Sequence, residues 1–79
     1  MEVGIFYDLD PPAVIGGKIF RRVECIFQVP GHPDEYVVRG IPDGGTTQES
    51  FGLKFTQQGR IKPVRSSNQY GCSLRLAPR

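Results

Sequence analysis

With 79 residues, 10 Gly, 7 Pro and no Trp, the chain reads as one small domain near the lower limit for a single hydrophobic core. Leu, Ile, Val and Phe make up 22 of the 79 residues, above the roughly 20% below which a charged chain stays disordered, and no run approaches the roughly 20 apolar residues of a membrane-spanning helix. The net charge of +2 and the pI near 8.7 fall short of a strongly basic nucleic-acid-binding domain.

Taken in chain order, residues 3–9 (VGIFYDL) form a short apolar run that reads as a first strand. Asp10-Pro11-Pro12 should end it, because proline removes a ladder donor and restricts the residue before it. Residues 13–17 then read as a linker that tucks Val14 and Ile15 against the sheet. The N-terminus lacks the basic segment of a secretory signal and carries Glu2, Asp8 and Asp10, which predicts a cytoplasmic protein.

Residues 18–29 (KIFRRVECIFQV) are the longest stretch free of Gly and Pro. Their apolar spacing is two, as in a half-buried strand whose side chains alternate between faces. The spacing predicts the central strand, with Val23, Cys25, Phe27 and Val29 facing inward. On that assignment, truncating Phe27 to Ala should cost about 3–5 kcal/mol. Pro30-Gly31-His32-Pro33-Asp34 is a turn signal. It leads into residues 35–41 (EYVVRGI), a strand pairing antiparallel with the central one, with Tyr36, Val38 and Gly40 on one face.

After the break at Pro42-Asp43-Gly44-Gly45, residues 46–58 admit two readings. Thr46 with Glu49 fits a helix capping box, and Gly59 a helix stop. Against a helix, Leu53 falls opposite Phe51 and Phe55 on the helical wheel. As a strand, Phe51, Leu53 and Phe55 alternate cleanly, and Thr56-Gln57-Gln58-Gly59 becomes a hairpin loop before residues 60–64. The strand is the preferred reading. Pro63 predicts an edge strand or bulge, and residues 70–76 alternate as a last strand. The fold class is therefore mostly β, a small five- to six-stranded antiparallel barrel or sheet. The alternative is α+β, in the order β-β-α-β-β with one helix at residues 46–58.

Catalytic chemistry is thin. The sole histidine, His32, lies in a Pro-Gly-His-Pro turn, where a solvated side chain is the expectation. Gly44-Gly45-Thr46-Thr47 lacks the Lys and spacing of a phosphate loop. Cys25 and Cys72 sit among apolar neighbours in strand-like runs and read as buried thiols, with a single disulfide as the other option. Two Cys and one His without a Cys-x-x-Cys pair do not make a structural zinc motif. No enzyme, cofactor or metal site is expected.

The charge distribution says more. All eight acids lie in residues 1–49, while residues 50–79 hold Lys54, Arg60, Lys62, Arg65, Arg75 and Arg79 with no acid. A fold that kept the halves apart would present one acidic and one basic face. Lys54, Arg60, Lys62 and Arg65 would cluster on a hairpin, with Arg75 adjoining and Tyr70 as a stacking surface. This group predicts a non-enzymatic binding module that docks on an acidic surface of a larger protein or assembly. It would be an accessory subunit or an inhibitor of the kind that phages and mobile elements encode. The alternative is a small β domain that binds nucleic acid through the same residues.

Overall fold

The computed structural model describes residues 1–57, 59–64 and 72–77. All regular structure among them is strand: β1 (Phe6–Ile15), β2 (Lys18–Gln28), β3 (Glu35–Gly40), β4 (Glu49–Phe55), β5 (Ile61–Pro63) and β6 (Ser73–Leu76). Every pairing is antiparallel, in the order β5-β4-β3-β2-β1-β6. The sheet curls until its ends meet. Ile61 N donates to the Cys72 carbonyl at 2.9 Å and Cys72 N donates back to that of Ile61, so one residue pair nearly closes a barrel. The helical alternative for residues 46–58 is overturned, because Leu53 is fully buried in the strand core with Phe51 and Phe55 flanking it on the same side. Thr56 starts the predicted turn instead, its Oγ1 accepting from Arg60 N at 3.1 Å.

The proline expectation for the first strand also needs correcting. β1 runs on through Pro11 and Pro12 to Ile15 and turns into β2 at Gly16-Gly17, so residues 13–17 are the end of a hairpin rather than a linker. Both glycines have positive φ, 57° and 78°, as a two-residue hairpin turn of this hand requires. The prolines are tolerated because the β1–β2 ladder is interrupted there: register jumps from Asp8↔Arg22 to Ala13↔Phe20. Residues Tyr7 to Asp10 pair on their other side with β6. Pro63 keeps its predicted place on β5, the last strand in the sheet order.

The core comprises Tyr7, Leu9, Ala13, Phe20, Val23, Cys25, Val38, Leu53, Ile61 and Cys72. Phe20 anchors it, with its ring centroid 4.7 Å from that of Phe51. Val23 and Cys25 face inward as the alternation predicts, but Phe27 does not. Register moves from Cys25↔Val38 to Phe27↔Val37, leaving Ile26 as an extra residue. Such a bulge reverses the facing of everything beyond it, and Phe27 stands 46% exposed. Cys25 and Cys72 are buried free thiols. Among the described residues, no helix is long and apolar enough to cross a membrane.

Candidate docking surface

The bulge at Ile26 has a consequence on the outside of the barrel. Phe27 pairs with Val37, and Val37 with Gly52. The chain leaving β5 folds back onto this row, where Val64 N donates to the Gly52 carbonyl at 3.0 Å. A Cβ at Gly52 would lie only 3.0 Å from Val64 Cγ2, so the missing side chain at Gly52 is what lets Val64 settle there. The result is an apolar row across β2, β3 and β4 that ends on Val64, just past β5. Its ends, Phe27 and Val64, are 46% and 41% exposed. Beside it opens a groove of about 470 Å³ lined by Ile15, Val37, Phe51, Gly52, Pro63 and Val64, with Glu35 as the one charged group among its described lining residues.

Charged rows flank the apolar one. On one side Glu24, Arg39 and Ser50 align across β2, β3 and β4, and Arg39 Nη2 lies 3.0 Å from Glu24 Oε1. On the other side Glu35, Lys54 and Lys62 align across β3, β4 and β5. Lys54 Nζ is 3.9 Å from Asp34 Oδ2. Lys62 and Arg60 have no acid within ion-pair distance among the described residues.

The basic residues expected to cluster therefore divide. Lys54 and Lys62 are direct cross-strand neighbours, with Arg60 just before β5. Arg75 belongs elsewhere: its Nη2 is 3.7 Å from Asp10 Oδ2, in a shallow depression shared with Arg21, Arg22 and Asp8. There Arg22 Nε donates to Asp8 Oδ1 at 3.1 Å. Arg65 and Tyr70 lie outside the described residues. The acidic and basic halves of the sequence are not kept apart, because the meander returns β6 beside β1 and lays β4 beside β3. Missing from the sequence reading were Phe27, Val37 and Val64 as surface residues. The signals for them were apolar residues on both faces of residues 35–41, with Val37 opposite Val38, and the glycine at position 52 between Phe51 and Leu53.

Other groups offer little chemistry. Burial pushes the Cys25 and Cys72 thiols above their ordinary value; for Cys72 a backbone hydrogen bond and nearby Arg60 oppose the rise. A protonated, buried thiol is a poor nucleophile. His32 is 61% exposed, with Nδ1 4.0 Å from Glu35 Oε1. No group of three His, Cys, Asp or Glu side chains placed to hold a metal occurs among the described residues. Comparison of the chain with protein-family models, with curated proteins and with solved structures finds no match.

Proposed function

We propose that the chain is a small non-enzymatic binding module, an accessory subunit or inhibitor, that docks on a larger protein through the outer face of β2 to β5. The observation that carries this reading is the apolar row of Phe27, Val37, Gly52 and Val64 between two charged rows, exposed at Phe27 and Val64 and half-buried between them. An apolar centre with a polar rim is the anatomy of a protein interface, and contiguous exposed apolar groups mark such sites more than scattered ones do. Lys62 and Arg60 at the β5 end favour a partner surface with an acidic margin.

The nucleic-acid alternative has less behind it. A backbone-tracking groove needs bases free to release counterions, whereas Lys54 and Arg75 each face an acid. The test compares wild type with Val64→Asp, both checked for unchanged melting. Affinity capture from the source cell with mass spectrometry should recover a protein with wild type and lose it with Val64→Asp. Fluorescence anisotropy against a short oligonucleotide should show no binding at low salt. Oligonucleotide binding that falls steeply with salt, with no protein lost on Val64→Asp, would replace this reading by the alternative.

A further inference from the structure

Successive residues of a strand send their backbone N–H and C=O alternately to opposite sides. On β6 that phase is fixed at both ends. Cys72 exchanges its bonds with Ile61 of β5, while Ala77 N donates to the Phe6 carbonyl of β1 at 3.0 Å. Ser73, Arg75 and Ala77 therefore face β1, and Leu74 and Leu76 face away from it.

On that outward side β5 has run out. Counting back from the Ile61↔Cys72 bridge sets Leu74 opposite Gly59 and Leu76 opposite Gln57, in the hairpin loop. The loop bonds inward, Gly59 N to the Thr56 carbonyl at 3.0 Å and Arg60 N to Thr56 Oγ1. Among the described residues, nothing meets the outward amides of Leu74 and Leu76. The β5 edge is guarded by Pro63, which has no N–H to offer. β6 carries no such guard between Ser73 and Leu76, and its Leu76 side chain is 72% exposed.

We propose that the β6 edge accepts an extended segment of a partner protein as an added strand, one with an acidic side chain between two apolar ones. Strand addition of this kind draws affinity from main-chain hydrogen bonds and specificity from alternate side chains. Arg75 sets the choice of occupant. It lies between the two outward residues with a side chain 66% exposed, and its contact to Asp10, itself 63% exposed, is 3.7 Å. In a second copy of the chain, the two-fold pairing that satisfies both outward residues sets Arg75 against the copy's Arg75. Like charges directly opposite are destabilising. An incoming acid is favourable there, and its apolar neighbours would fall beside Leu74 and Leu76 and cover them.

The test is an NMR titration of the full chain with two blocked peptides, Thr-Val-Glu-Val-Thr and Thr-Val-Lys-Val-Thr. The Glu peptide should shift the Leu74 and Leu76 amides and slow their hydrogen exchange; the Lys peptide should not. Leu76→Pro removes one outward N–H and should abolish the effect. Should that variant fail to fold, Arg75→Glu serves alone: it should weaken the Glu peptide roughly fivefold and favour the Lys peptide. Val64→Asp should leave peptide binding unchanged, which separates this edge from the β2–β5 face. Equal binding of both peptides, no shift at Leu74 and Leu76, or a dimer already protecting these amides without peptide would each overturn the proposal.

Discussion

Two phenylalanines seven residues apart on one strand show how little residue type says about role. Phe20 is 2% exposed and packs its ring at a tilt against Phe51, whereas Phe27 is 46% exposed on the outer face. Phe20→Ala should cost about 3–5 kcal/mol, the usual range for a buried ring. Phe27→Ala should fall below about 1 kcal/mol, because a surface side chain loses little on truncation. Urea unfolding of both variants checks the contrast, and a large loss at Phe27 would mean that it is buried. The thiols give a second prediction at this scale. Their native pKa is raised by burial, so the folded state keeps its protons where the unfolded state loses them. This contribution to stability is complete below the ordinary thiol value near 9.0 and fades as pH rises above it. Wild type should therefore lose stability from about pH 9 upward more steeply than a Cys25→Ala, Cys72→Ala double variant. Parallel denaturation curves for the two proteins between pH 8 and 10 would contradict it.

At the scale of elements, the sequence was legible wherever alternation ran undisturbed. Val23 and Cys25 in β2, Val38 and Gly40 in β3, and Leu53 in β4 all face inward with the period of two. It failed at the irregularities. The extra residue at Ile26 carries no local signature, since Ile, Phe and Gln continue an acceptable strand while the facing reverses. Pro11 and Pro12 misled for the opposite reason: the local rule holds, since neither proline pairs in a ladder, but β1 resumes its pairing with β2 at Ala13 and the strand runs on past them. Gly40 shows an element-level constraint visible only in the fold. A Cβ there would lie 2.5 Å from the Arg22 carbonyl oxygen and 3.3 Å from Val23 Cγ1, so the end of β3 can cross β2 this closely only without a side chain. The obstacle is backbone, which cannot swing aside. Gly40→Ala should destabilise by about 1–3 kcal/mol through overpacking, read as a lowered Tm. An unchanged Tm would show that β3 and β2 have room to separate.

For the molecule as a whole, the uneven charge of the sequence is undone by topology. A meander closed by β6 sets late residues beside early ones, so Lys54 meets Asp34 and Arg75 meets Asp10. What stays unbalanced is local. Lys62 faces Lys54 directly across β4 and β5, while Lys54 also faces Glu35 across β3 and β4. Single charge reversals should therefore act with opposite signs on one row. Lys62→Glu replaces a repulsive cross-strand pair by an attractive one and should stabilise by a few tenths of a kcal/mol up to about 1. Lys54→Glu relieves the same repulsion but sets an acid against both Asp34 and Glu35, and should destabilise by a similar amount. Both effects are between solvated charges, so both should shrink as salt is raised past the physiological range. Urea denaturation of the two variants at low and high salt measures this. If Lys62→Glu destabilises at low salt, the Lys54–Lys62 opposition is not a source of strain, and the basic end of the row is already balanced within the chain.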